Sequence, residues 1–127
     1  MRLLLDTHAL LWWLAGDDRL TAAARSGVQS SNNTVLVSAA SAWEIATKHR
    51  LGKLDASALS DGLGPMLASQ RFEPLDITLE HAERAGALGG LHKDPFDRML
   101  VAQAQAERLT LVSNEIAFDS YGVARLW

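Results

Sequence analysis

The sequence predicts an α/β protein of three layers, α/β/α, with helices on both faces of a central, mostly parallel sheet of four to five strands. Three observations carry this reading. Short, mostly apolar runs, the length of buried strands, recur at residues 1–5, 34–38 and 109–113. Helical stretches alternate with them across short connections. No repeat, low-complexity segment or linker interrupts the 127 residues, so residues 1–127 form a single domain with one core.

Met1-Arg2-Leu3-Leu4-Leu5 is the first strand, and Ala9 to Leu14 the first helix. Gly16-Asp17-Asp18 breaks the pattern, and Thr21 caps a second helix that reaches about Ser30. After the polar turn Ser30–Asn33, Thr34-Val35-Leu36-Val37-Ser38 is a β-branched strand. Ser38 or Ser41 caps a helix over Ala42 to about Leu51, ended by Gly52. Residues 55–70 read as two short helical pieces, interrupted by Gly62, Gly64 and Pro65.

A short strand within Phe72–Ile77 is limited by Pro74, and Thr78 caps a helix from Leu79 to Leu88 that stops at Gly89-Gly90. The loop Leu91–Asp94 leads to Pro95, the first residue of a helix that Asp94 caps and that runs to about Arg108. Leu109–Ser113 is a strand, Asn114–Ser120 a loop or short helix, and Val123–Leu126 a last strand.

Composition excludes several classes. The chain has no cysteine, which removes a disulfide framework, a thiolate zinc site and a cysteine nucleophile together. No apolar run approaches the roughly 18 residues that cross a bilayer. The N-terminus lacks the layout of a signal peptide, since an Asp falls inside what would be its apolar region, so a cytoplasmic protein without membrane contact is expected. A net charge of −3 argues against coating nucleic acid by general basicity, but is compatible with a nuclease whose site is acidic.

Acids recur beside strand ends and helix starts. Asp6 ends the first strand, where open α/β sheets expose their sites. Glu44 falls in the expected first turn of the helix after the second strand, where the helix dipole alone would favour it. Asp94 and Asp97 stand three apart at the start of the long helix and share a face, with Asp94 the better cap. Glu115 follows the strand ending at Ser113. Asp6 could also serve only as a helix cap, a service Thr7 offers equally. Hard oxygen donors without Cys or His ligand spacing suit Mg²⁺ or Mn²⁺, which relieves the repulsion among clustered carboxylates and acts on phosphate.

Taken together, Leu4-Leu5-Asp6-Thr7-His8, Ser41-Ala42-Trp43-Glu44-Ile45-Ala46, the run Asp94-Pro95-Phe96-Asp97-Arg98-Met99-Leu100-Val101-Ala102-Gln103-Ala104, and Leu111-Val112-Ser113-Asn114-Glu115 resemble the PIN-domain ribonucleases. The likeness is to the VapC-type toxins of bacterial toxin–antitoxin pairs, in order, spacing and length. It implies a Mg²⁺-dependent endoribonuclease with Asp6, Glu44 and Asp97 as the acidic triad. Asp97 is preferred over Asp94 because the family's helix acid stands about fifteen residues before the position of Val112. The fourth acid falls on Glu115, where Ser113-Asn114-Glu115 departs from the usual Thr and Asp. The resemblance also implies a VapB-type antitoxin partner, an RNA substrate, inhibition of translation and a homodimer.

Lys48, Arg50 and Lys53 follow Glu44 and are candidates to grip RNA phosphates, or simply answer the helix C-terminus. Arg98 is a further candidate, either on RNA or holding the neighbouring carboxylate. His8 is expected to pack at the helix start rather than act as a base, and Trp43 to pack rather than stack on a base. Of adjacent Trp12 and Trp13, one enters the core and the other is left for a partner. Two rival classes lack their residues. A dehalogenase-type hydrolase needs an acid where His8 stands, and a receiver-like module needs an acid after Val35-Leu36-Val37-Ser38. A PIN domain that binds RNA or a partner without cutting is the third alternative.

Overall fold

The computed structural model describes residues 1–90 and 92–127; of the expected loop Leu91–Asp94, Leu91 lies outside the described residues. Five strands, β1 (Arg2–Leu5), β2 (Thr34–Ser38), β3 (Glu73–Leu75), β4 (Thr110–Val112) and β5 (Arg125–Leu126), form one sheet in the order β3-β2-β1-β4-β5. Every pairing is parallel. Helices α1 (Thr7–Ala15), α2 (Ala22–Gln29), α3 (Ala39–Arg50), α4 (Leu63–Gln70), α5 (Leu79–Ala87) and α6 (Pro95–Glu107) alternate with the strands. No described helix is long and apolar enough to cross a membrane.

The three leucines of β1 show why the layers form. Leu3 and Leu5 point into one core with Leu10, Ala24, Val35 and Val37, whereas Leu4 points into the other with Leu36, Leu100, Val101, Leu111 and Phe118. Successive side chains leave opposite faces of a strand, so an unbroken apolar run requires cover on both. All three leucines are fully buried. Truncating one such leucine to alanine costs about 2–5 kcal/mol.

Pro74 lies inside β3, which is tolerated because β3 is an edge strand and no further strand needs its missing N–H. Three element limits differ from the sequence reading. Helix α3 starts at Ala39, because the Ser38 hydroxyl accepts from Ala40 N at 2.9 Å and caps it at once. Residues 57–59 form only a 3₁₀ turn, and α4 carries Gly64 and Pro65 within its first turn, where a proline costs no helical bond. Helix α1 begins at Thr7, with Asp6 as its cap.

Register then sets the site. Leu5 pairs with Val37 on one side and with Val112 on the other, so Asp6, Ser38 and Ser113 leave the sheet level with one another. The chain order reverses between β1 and β4, and the crevice outside such a switch point is where open α/β sheets bind ligands.

Candidate active site

At this edge the core turns polar. Asp6, Thr7, Ser38, Ser41, Glu44 and Ser113 are all buried. The sheet ladder continues into Asp6, whose N–H donates to Val112 O at 3.1 Å, and this fixes its backbone. Its Oδ1 accepts from Ala9 N at 2.7 Å and caps α1, so the cap role falls to Asp6 and leaves Thr7 for another task. Burial raises the Asp6 carboxyl above its usual range, and nearby Glu44 adds to this; the Ser113 hydroxyl, the Ala9 N–H and His8 oppose them. Ser113 Oγ accepts from Glu115 N at 2.9 Å, which leaves its proton for Asp6.

Glu44 sits in the second turn of α3, since the helix starts earlier than its sequence suggested, and its carboxylate is beyond the free N–H groups of the first turn. It is held by side chains instead. The Thr7 hydroxyl donates to Glu44 Oε1 at 2.6 Å. Ser41 Oγ lies 3.0 Å from Thr7 Oγ1, and because Thr7 has one proton, already given to Glu44, Ser41 is the donor in that contact. The Lys48 ammonium meets Glu44 Oε2 at 2.5 Å, one turn along the helix. Glu44, and the weaker fields of Asp94 and Asp97, raise the Lys48 pKa.

Asp94 caps α6, its Oδ1 accepting from Phe96 N at 2.9 Å and Asp97 N at 3.1 Å. Asp97, on the first turn, sends its carboxylate into the crevice. Burial comes first in pushing it up to about 7, followed by repulsion from Asp94, Glu44, Asp6 and Glu115. The fields of four carboxylates thus converge on Asp97. His92 Nε2 stands 3.1 Å from Asp97 Oδ2.

The structure brings Asp6, Glu44, Asp94, Asp97 and Lys48 to one crevice and leaves Glu115 at its rim. Glu115 is exposed, and its Oε1 accepts from Ala117 N at 3.3 Å, capping the 3₁₀ turn Ile116–Tyr121. Arg50 and Lys53 are exposed at the exit of α3. Arg98 is a correction. Its guanidinium turns inward and donates to the carbonyls of His92 and Ala85, each at 3.0 Å, and of Leu88, so it is a backbone clamp rather than an RNA contact.

His8 is exposed and its ring lies 5.6 Å from that of Trp12, while both Trp12 and Trp13 are half-buried against the core. Trp43 does pack, edge-on to Phe96 with 4.8 Å between ring centres, yet it remains 60% exposed beside the acids. Thr7, Ser41 and His92 are the site residues that sequence reasoning missed. Thr7 and Ser41 are hydroxyls next to or three residues from an acid, the one signal that could have drawn notice.

Among the described residues, no three of Asp, Glu and His are drawn together tightly enough to ligate one ion in this structure; Lys48 pairs with Glu44, and His92 Nε2 stands near Asp97. The donor set nevertheless suits a hard divalent cation. It is made of carboxylate oxygens alone, and the repulsion that adds to burial in driving Asp97 toward protonation is what such a cation removes.

The chain belongs to the PIN-domain family, whose model matches residues 3–124. Among solved structures, it is similar to VapBC2 from Rickettsia felis bound to a DNA fragment from its promoter, with 21% identity, a TM-score of 0.72 and coverage of 98% of this chain and 97% of that one. VapBC-1 from nontypeable Haemophilus influenzae follows at 14% identity and a TM-score of 0.69, covering 98% and 96%. The sarcin–ricin loop cleaving toxin VapC20 of Mycobacterium tuberculosis has 16% identity and a TM-score of 0.68, covering 96% of each chain. No curated protein sequence matches the chain significantly.

Proposed function

We propose that this chain is a metal-dependent endoribonuclease, the toxin of a toxin–antitoxin pair, which hydrolyses RNA phosphodiester bonds and thereby inhibits translation in the cytoplasm. One observation carries the reading: Asp6, Glu44 and Asp97, from three separate elements, meet in the crevice at the β1/β4 switch point. A PIN fold with VapC toxins as structural neighbours supports the same reading. The neighbours' antitoxin complexes make a VapB-type protein the expected partner, with a homodimer as the expected assembly.

Asp6, Glu44 and Asp97 would hold the cation, Mg²⁺ or Mn²⁺, with Glu115 or Asp94 able to join from the rim. Bound there, it supplies Lewis acidity toward phosphate and water. The residues of the chain do the rest. The Thr7 hydroxyl donates a hydrogen bond to Glu44 Oε1, and the Ser113 hydroxyl favours the ionised form of Asp6. Lys48 balances Glu44 and is a candidate to meet an incoming phosphate, with Arg50 and Lys53, exposed at the exit of α3, as candidates for flanking ones. Catalysis of this kind depends on holding charge and phosphate in line rather than on covalent chemistry.

The test is cleavage of total cellular RNA by the purified, antitoxin-free protein in Mg²⁺, in Mn²⁺ and in EDTA, with Asp6→Asn and Asp97→Asn alongside. Discrete fragments that need metal and vanish in both variants support the enzyme, and their ends name the target. A folded protein that cuts nothing in any metal sinks it. In that case a binding-only PIN domain is favoured, consistent with a Glu115 spent on capping a turn.

A further inference from the structure

The segment between α5 and α6 is held by contacts that no connecting loop requires. Arg98, on α6, reaches back to three carbonyls, those of Ala85 and Leu88 at the end of α5 and that of His92. A guanidinium offers five N–H donors in a rigid plane, so these acceptors are fixed relative to one another and to α6. Gly90 is at φ +80°, and any Cβ there would come within 2.9 Å of Tyr121 Oη, so the turn is also pressed against the neighbouring 3₁₀ segment.

This arm carries His92. Its ring is 5.8 Å from that of Phe118, itself fully buried, and its side chain is only 17% exposed. The Nε2 atom is buried without a well-formed hydrogen bond, and the nearest acceptor is Asp97 Oδ2 at 3.1 Å, off the direction of a linear N–H bond. A buried imidazole nitrogen left so is costly, and a small rotation of the Asp97 carboxylate satisfies it.

We propose that His92 is the positioning residue of Asp97. It donates from Nε2 to Oδ2, turns the other oxygen toward Asp6 and Glu44, and is itself held in place by the Arg98 clamp. Carboxylates that ligate metals are ordinarily oriented by such partners, whose loss weakens metal affinity about 10- to 100-fold. The value of the contact for metal binding rests on the nuclease reading, whereas the contact itself does not.

The experiment uses the full chain and two readouts. Mn²⁺ affinity by calorimetry is compared for wild type, His92→Phe, which keeps a ring against Phe118 but has no donor, and His92→Gln, which keeps a donor. About tenfold weaker binding in His92→Phe and recovery to within about threefold in His92→Gln is expected. Wild-type affinity in His92→Phe, or equal loss in both variants, overturns the proposal.

The second readout needs no metal. Long-range nitrogen–proton NMR of the histidine rings should show His92 carrying its proton on Nε2, with signals that move in Asp97→Asn and not in Asp61→Asn, a change at an exposed residue outside the site. A proton on Nδ1, or signals indifferent to Asp97→Asn, overturns it. A wild-type protein that binds no Mn²⁺ but passes this NMR test counts against the nuclease reading and supports the His92–Asp97 contact.

Discussion

The hydroxyl of Thr7 donates to Glu44 Oε1 at 2.6 Å across 37 residues of sequence, and ties the start of α1 to the second turn of α3. Both residues are buried, so neither group has water as an alternative. Thr7→Val keeps the shape and removes the proton, leaving a buried carboxylate oxygen without its donor. A loss of about 1–3 kcal/mol in urea unfolding is expected, with cleavage falling at least tenfold. Thr7→Ser should restore both. If Thr7→Val is as stable and active as wild type, the Thr7–Glu44 bond has no bearing on the site.

Asp97 sets a pH dependence of opposite sign to that of most acids. Its folded value of about 7 lies above the ordinary 3.8, so between these pH values the folded protein keeps a proton that the unfolded chain has released. The stability it contributes is full below about pH 4 and is lost as pH rises through 7. Asp97→Asn removes this titration and should be more stable than wild type at pH 8, by about 1–2 kcal/mol after solvent screening. At pH 4 the gain should vanish. Urea melts of both proteins across this range, in EDTA, decide it; equal slopes would show that the folded state does not raise the Asp97 pKa.

Asp6 and Asp97 were legible because their positions are local facts. One ends a continuous apolar strand, and the other stands two residues after a helix-opening proline. The parallel sheet was legible for the same reason, in its short runs of Leu and Val. Glu44 was found in the right helix but one turn too early, because Ser38 and Ser41 are equally good caps and only the tertiary fit of β2 selects Ser38. The partnerships between elements were out of reach. The i,i+4 spacing of Glu44 and Lys48 does put them side by side on α3, but nothing in spacing tells that Thr7 faces α3 or that Arg98 faces backward to carbonyls. Those directions are set by how helices lie on the sheet, which one helix's periodicity does not encode.

Asp6 has two roles that one substitution can separate. Its Oδ1 caps α1, so Asp6→Ala loses both cap and charge, at a cost of about 1 kcal/mol for the cap alone. Asparagine caps as well as aspartate does. Asp6→Asn should therefore melt within about 2 °C of wild type in EDTA, yet gain nothing from Mn²⁺, which should raise the wild-type melting temperature. A Mn²⁺-induced shift that persists in Asp6→Asn would place the cation elsewhere.

Lys48 offers the last test, because it already serves Glu44 as a cation. With Lys48 in place, a divalent ion entering the crevice meets a partly neutralised carboxylate. Lys48→Met leaves Glu44 with Thr7 as its sole side-chain partner and strengthens the repulsion that Asp97 feels, since the Lys48 ammonium also acts on Asp94 and Asp97. In EDTA, Lys48→Met should therefore be less stable than wild type. Saturating Mn²⁺ should recover most of that loss, so its stabilising effect is larger than in wild type. RNA cleavage should fall nonetheless if Lys48 meets the phosphate as proposed. Differential scanning calorimetry with and without Mn²⁺, and cleavage at saturating metal, separate the two consequences. A smaller Mn²⁺ effect in Lys48→Met than in wild type would mean that Lys48 supports the cation instead of competing with it.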